Sequence, residues 1–264
     1  IIAFSVALMA IGTFTSCSDE FLQDKKNYDY VDASTYNTFS GAKARVDDIY
    51  AWCLPNTSSE PSWKYNSTGA ADLQSKSTEE YSGFGSFVDP DAPMTSQSGN
   101  NTVPDYFHNS GNNIQASVWG RIRNCNDVIY GIENSTLSEE EKNELLGQVY
   151  FFRAWCYYNL VKWYGGVPII TEVQEPVAGA IVPRSTTKAC IDFICGDLER
   201  SAQLLASFTE NGGWPSSDFG RVTSGTALAL KGRVMLLWCS PLFNRADDKE
   251  RWKTAYDTMK SDLA

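Results

Sequence analysis

One long helix constrains the fold of this sequence more than any other feature. Ser138 and Glu141 fit the capping box, in which a serine oxygen and a glutamate three residues later satisfy the first free backbone donors. Gly165-Gly166 and Pro168 predict the end of the helix, because glycine supplies the cap geometry and proline cannot continue it. Between these signals one apolar face follows the helical period through Leu145, Val149, Phe152, Cys156, Leu160 and Trp163. A second apolar row lies beside the first, so we expect this helix to be buried between other helices.

Five further segments show the same helical spacing of apolar residues. They are a segment from Ser34 onward, the ranges 117–132, 187–206 and 223–239, and a segment that begins near Trp252. Short connections and the lack of a strand-like alternation predict an all-α solenoid or bundle. The antiparallel pairs resemble tetratricopeptide repeats, although the sequence has no clean self-similarity at that period. In the helix over 223–239, the small residues Gly225, Ala229 and Gly232 predict the close approach of another helix.

Residues 54–117 differ in character from these helices. They are rich in Ser, Asn, Gly, Asp and Pro, with dispersed aromatic residues and no sustained period. A loop of this length is usually functional or disordered. Disordered segments are poor in aromatic residues, so we interpret this stretch as a loop-rich insertion.

Composition argues against several classes of function. The net charge is −10 with one histidine, which does not suit a nucleic-acid partner, since phosphate binding needs clustered Lys and Arg. A lone His108 disfavours zinc and a Ser-His-Asp site, and no nucleophile elbow, P-loop or zinc-protease helix is found. Carboxylates occur in pairs at Glu79-Glu80, at Asp89 with Asp91 and within 139–141, but sequence proximity cannot establish the separation that a glycosidase needs. We therefore expect no enzyme activity, no cofactor and no metal.

The N-terminal residues predict export. Residues 1–16 carry no charge and are too short to span a bilayer, which is typical of a partial signal peptide. Ser16-Cys17-Ser18-Asp19 looks like a lipobox, in which Cys17 becomes the acylated first residue, and 17–33 then form a lipidated tether. Six other cysteines remain. An even number permits disulfides in an exported protein, but the apolar helix faces around Cys125, Cys156 and Cys190 favour buried free thiols.

A run of residue types within the long helix and its turn resembles the SusD/RagB family of Bacteroidetes outer-membrane lipoproteins. Arg153-Ala154-Trp155, Tyr157-Tyr158-Asn159-Leu160 and Tyr164-Gly165-Gly166-Val167-Pro168 match the family hallmark. Gly220–Thr223, Ala227–Arg233, Trp119–Asn126 and Asp197–Ala202 resemble further family blocks, whereas 54–117 is unmatched. The resemblance implies tetratricopeptide-repeat-like helical pairs over 34–264, with long loop insertions. Family members are considerably longer, so the C-terminal half is expected to be missing here.

The resemblance also implies a function. Members bind nutrients, usually glycans, for a SusC-like TonB-dependent transporter, so we expect a surface-exposed, lipid-anchored binding protein of the outer membrane that takes part in polysaccharide utilisation. A sugar needs a flat aromatic ring over its C–H face and polar partners beside it. The candidate ligand-binding residues are the aromatic Trp63, Tyr65 and Tyr81 and the polar Asn66, Asp72 and Gln74. These rings could instead only pin the loop to the helical core.

Two other functions stay open, a surface glycoside hydrolase and a helical-repeat scaffold that binds only proteins. Which nutrient is bound is not predicted. Arg153 lies between apolar rows, and we expect it to pair with a carboxylate or a helix end in the core rather than to contact ligand. The same structural role is predicted for Arg121, Arg123 and Arg233.

Overall fold

The computed structural model describes residues 33–54, 118–174, 181–210 and 212–262. These ranges contain six α-helices, which are α1 (Phe39–Cys53), α2 (Val118–Glu133), α3 (Glu139–Tyr164), α4 (Thr187–Glu210), α5 (Ser224–Cys239) and α6 (Lys249–Asp262). Short 3-10 helices cover Ala33–Asn37 and Ser216–Asp218. No strand occurs within the described ranges, so the all-α prediction is confirmed.

The long helix α3 begins and ends as the sequence predicts. The Glu141 backbone N–H donates to Ser138 Oγ at 3.3 Å, and the Ser138 N–H donates to Glu141 Oε2 at 2.9 Å. The hydrogen bonds that the Ser138 N–H and hydroxyl donate to the Glu141 carboxylate hold the pKa of Glu141 below its ordinary value. At the other end Gly165 caps the helix at φ 66°. A Cβ on Gly166 would lie 2.0 Å from the Ser185 carbonyl oxygen, so the chain needs both glycines to turn here.

Helix α3 is the centre of the described core. It packs against α1, α2 and α4, and α4 packs in turn on α5, which contacts α6. From Leu145 to Val161 nearly every residue of α3 is buried, which confirms the predicted burial on all sides. These helix contacts agree with the predicted tetratricopeptide-repeat-like fold. None of the described helices is long and apolar enough to cross a membrane.

The first helix differs from its prediction at one end. It starts at Phe39 rather than at Ser34, because Thr38 is extended and its Oγ1 accepts a hydrogen bond from the Gly41 N–H at 3.3 Å. This N-cap separates α1 from the 3-10 helix before it. Ala42, Val46 and Ile49 are buried as expected, and Tyr50 is half-buried.

The small residues of α5 behave less uniformly than predicted. A Cβ on Gly232 would lie 3.2 Å from Met259 Sδ, so α6 does approach closely at this position. Gly225 has no such neighbour and Ala229 is exposed, because both point away from the face that packs on α4 and α6. The prediction of a shared close approach was therefore wrong for these two residues.

Candidate functional site

The predicted ligand-binding residues and the predicted lipidation site lie outside the described residues. They are Trp63, Tyr65, Asn66, Asp72, Gln74, Tyr81 and Cys17. The described residues that flank the predicted insertion are Cys53, at the end of α1, and Val118, at the start of α2.

A polar network built around Tyr50 joins α1 to two other parts of the fold. The Tyr50 hydroxyl donates to Gln148 Oε1 of α3 at 2.9 Å and accepts from the Val222 N–H at 2.8 Å. Burial raises the pKa of Tyr50 to about 12, so the hydroxyl keeps its proton and its donor role at neutral pH. One aromatic residue of α1 thus fixes both the central helix and the approach to α5.

Arg221 completes this network. Its Nη1 donates to Gln148 Oε1 at 3.1 Å, its Nε donates to Asp218 Oδ1 at 2.6 Å, and its Nη2 contacts Asp47 of α1. The guanidinium also lies over the Tyr50 ring, 5.1 Å from the centroid, where a cation–π contact is favourable. The sequence alone gives neither Tyr50 nor Arg221 this role, although Arg221 lies in one of the blocks that resemble the family.

A cluster of thiols lies at the C-terminal end of α1. Cys53 of α1 and Cys156 of α3 place their Sγ atoms 3.9 Å apart, and Cys125 of α2 is buried close to them. The contact with Cys156 and burial raise the pKa of the Cys53 thiol well above its ordinary value. Arg121 is buried beside the cluster, and burial lowers the pKa of its guanidinium. Three helices therefore meet at the C-terminal end of α1.

The core pairing predicted for Arg153 is confirmed. Its Nε and Nη2 each donate to one carboxylate oxygen of Asp197 at 2.8 Å, and its Nη1 donates to Asn126 Oδ1 at 2.9 Å. Burial raises the pKa of Asp197, and Arg153 opposes that rise. The bidentate contact requires the ionised carboxylate, because both of its oxygens accept hydrogen bonds from Arg153. Asn126 Nδ2 donates onward to the Ile170 carbonyl at 3.0 Å, which holds the extended segment after the Gly-Gly turn.

The other predicted core arginines behave differently from one another. Arg121 is 2% exposed, as expected. Arg123 and Arg233 are exposed, so their prediction was wrong. On α2 the buried face follows Ile122, Cys125 and Ile129, and a residue one position after Ile122 points away from that face.

A polar crevice opens between the start of α3 and the end of α4. Its volume is about 580 Å³, and Glu144, Asn143, Arg200, Gln203 and Phe208 are among its lining residues. Phe208 packs on Trp214 with ring centroids 4.3 Å apart. Burial raises the pKa of Glu144. Amides, carboxylates and a ring edge can bind a polyhydroxylated molecule, so binding experiments must distinguish this crevice from the predicted site in the insertion.

Most of this chain is similar in sequence to one family of proteins. Residues 20–236 match a family model of SusD-like proteins with the description "Starch-binding associating with outer membrane". A SusD-like protein of Bacteroides ovatus is 24% identical over 231 residues, which cover 84% of this chain and 37% of that protein. A SusD-like protein of Formosa agariphila is 25% identical over 114 residues, or 43% of this chain and 21% of that protein.

Two solved structures are similar in fold. A SusD-like carbohydrate-binding protein of Bacteroides fragilis superposes with a TM-score of 0.57 at 20% identity, over 87% of this chain and 41% of that one. A SusD homolog of Bacteroides thetaiotaomicron superposes with a TM-score of 0.56 at 16% identity, over 88% of this chain and 42% of that one. This chain thus spans about two fifths of the length of the solved relatives.

Proposed function

Because the chain belongs to the SusD-like family, we propose that it binds a glycan at the cell surface and passes it to a TonB-dependent transporter. The observation that carries this proposal is the family match over residues 20–236, which includes the aromatic-rich insertion as well as the helical layer. The family description links starch binding with the outer membrane. The proposal extends that description to this chain.

The binding site is assigned to the insertion. Trp63, Tyr65 and Tyr81 provide the rings, and Asn66, Asp72 and Gln74 provide hydrogen-bonding partners. Loops carry binding residues effectively when a rigid scaffold fixes their ends. The Tyr50 hydrogen bonds at one end and the buried start of α2 at Val118 at the other support this arrangement.

The charge of the chain favours a neutral ligand. A net charge of −10 repels a polyanion and has no effect on an uncharged oligosaccharide. Stacking of a ring on the C–H face of a sugar needs no ligand charge. We therefore expect neutral polysaccharides to bind more tightly than acidic ones.

Anchoring and delivery complete the proposal. Residues 1–16 are assigned to the signal peptide, Cys17 to the lipid anchor, 17–33 to the tether and 34–264 to the SusD-like domain. An acyl anchor would hold the protein beside a transporter without spanning the membrane. Cys17→Ala should move the full-length protein out of the membrane fraction, and unchanged fractionation would remove the anchor from the proposal.

The protein is proposed to bind without catalysing a reaction of its own. The carboxylates at 139–141, which could suggest glycosidase chemistry, stand at the start of α3, where Glu141 forms the capping box. Acidic residues there are favoured by the helix dipole. Their position therefore has a structural cause.

The experiment is affinity electrophoresis of the full-length, unlipidated protein through gels that contain single neutral polysaccharides. Retardation by one glycan supports the proposal, and its loss in Trp63→Ala assigns the site to the insertion. Trp252→Ala is the matched control, because Trp252 lies on α6 and is 38% exposed. Retardation that is equally weakened in both variants would contradict the assignment.

The same samples test the two alternatives. Release of shorter sugars from the retained glycan, abolished by a single carboxylate substitution, would favour a hydrolase. Copurification with protein partners that persists when Trp63, Tyr65 and Tyr81 are replaced by Ala, without retardation by any glycan, would favour a protein-binding scaffold.

A further inference from the structure

Two buried thiols from distant parts of the chain face each other at the C-terminal end of α1. The Sγ atoms of Cys53 and Cys156 lie 3.9 Å apart, although 103 positions separate the residues in sequence. Their exposed fractions are 1% and 3%. Cys53 is the last residue of α1, so this contact joins the end of that helix to α3.

We infer that Cys53 and Cys156 are a disulfide site, which is oxidised when the chain folds in an oxidising compartment. The inference rests on the proposed surface location, because disulfides form and persist outside the cytosol. A disulfide holds its sulfurs about 2.05 Å apart, so the two thiols need to approach by roughly 1.9 Å. The bond would tie the departure point of the insertion to the central helix α3.

The other buried cysteines show why this pair is singled out. Cys190 Sγ donates to the Val167 carbonyl at 3.4 Å, and Cys239 Sγ contacts the Arg251 carbonyl at the same distance. These thiols are satisfied by backbone, as expected for cysteines that act as small apolar residues. Cys53 and Cys156 instead face each other from two helices.

A metal site does not account for the cluster. Within the described ranges, no three His, Cys, Asp or Glu side chains converge in a way that could hold a metal ion. Cys125 is the third thiol of the cluster. It is the competing disulfide partner for Cys53 and Cys156, and the experiment must exclude it.

The oxidation takes place in two thiol–disulfide exchanges with the disulfide of a dithiol oxidoreductase. The Cys53 thiolate attacks one oxidant sulfur, which forms a mixed disulfide and releases the other oxidant sulfur as a thiolate. The Cys156 thiolate then attacks the Cys53 sulfur, which forms the intramolecular bond and releases the oxidant. The protein loses two electrons and two protons, and the oxidant gains them as a dithiol.

The timing of this exchange follows from burial. The contact with Cys156 and burial raise the pKa of the Cys53 thiol well above its ordinary value, so the folded protein holds few reactive thiolates. Exchange therefore takes place before α1 packs on α3. Refolding in a redox buffer forms the bond, whereas oxidant added to the folded, reduced protein forms it slowly.

The test is peptide mapping of the full-length protein, reduced in denaturant and refolded in mixed oxidised and reduced glutathione. Free thiols are alkylated in denaturant, and the protein is digested without reduction. Trypsin cuts after Lys and Arg, so Cys53, Cys125 and Cys156 fall in three peptides, 46–64, 124–142 and 154–162. We expect peptides 46–64 and 154–162 as one linked species, which separates on reduction, while Cys190 and Cys239 are alkylated.

Two results would overturn the inference. One is alkylation of both Cys53 and Cys156, and the other is a link from either residue to Cys125. The variant Cys125→Ala should keep the expected link, and Cys53→Ala should leave Cys156 alkylated. Glycan retardation of the same refolded sample is scored separately, so a linked protein that binds no glycan contradicts only the proposed function.

Discussion

The paired charges of Arg153 and Asp197 should be the most sensitive point of the described core. Asp197→Asn keeps the shape of the side chain but removes its charge, and it leaves the guanidinium of Arg153 buried with a neutral partner. Both side chains are 7% exposed, so water cannot replace the lost interaction. Breaking a buried ion pair by changing one partner costs about 3–5 kcal/mol. We expect a loss of this size in the free energy of unfolding.

The double variant Arg153→Met/Asp197→Leu should cost less than the single change. Well-packed apolar residues often replace a buried ion pair at little cost. Here Asn126 Oδ1 also loses the hydrogen bond from Arg153, and an unsatisfied buried acceptor costs about 1–3 kcal/mol. The predicted loss for the double variant is therefore about 1–3 kcal/mol.

Urea denaturation of the full-length protein at pH 7 measures these differences. A matched control is the surface pair of Lys188 and Asp192, which joins the same helix α4 at 2.6 Å with side chains 67% and 60% exposed. Asp192→Asn should change stability by less than about 1 kcal/mol. Equal effects of Asp197→Asn and Asp192→Asn would refute the reasoning from burial.

Three further predictions concern packing and titration. Gly147→Ala should lower the free energy of unfolding by about 1–3 kcal/mol, because its Cβ would lie 2.5 Å from Leu205 Cγ. Gly196→Ala, with open space at its Cβ, should raise it by about 0.5–1 kcal/mol in the same urea denaturation. Burial lowers the pKa of Lys162 to about 8, so the folded state loses this proton at a lower pH than the unfolded state does. Stability should therefore rise between about pH 8 and pH 10, by at most about 3 kcal/mol. Lys162→Met should remove that rise, and an unchanged pH profile would contradict it.

Local signals predicted the helices well. The capping box at Ser138 and the Gly165-Gly166 turn act within a few residues, so a sequence contains all the information that they need. The apolar period located the buried faces for the same reason. The same period separates Arg121, which shares the buried face of α2 with Cys125 and Val128, from Arg123.

Long-range partners could not be predicted from the sequence. Asp197 lies 44 positions from Arg153, and Cys53 lies 103 positions from Cys156, and no local pattern joins either pair. The Tyr50 network joins α1, α3 and the approach to α5 by hydrogen bonds between residues far apart in sequence. The insertion shows no sustained helical or strand period, so its candidate residues follow from the chemistry of their side chains alone and stay predictions.

The central claim is that aromatic side chains of the insertion bind a neutral glycan. Titration calorimetry of the full-length protein with the glycan that retards it tests this claim most directly, with Trp63→Ala compared against Phe208→Ala in the crevice between α3 and α4. We expect Trp63→Ala to weaken binding at least about tenfold, as removal of a central aromatic contact does at binding sites. Phe208→Ala should leave the affinity unchanged. Wild-type affinity in Trp63→Ala, or loss of binding only in Phe208→Ala, would contradict the account.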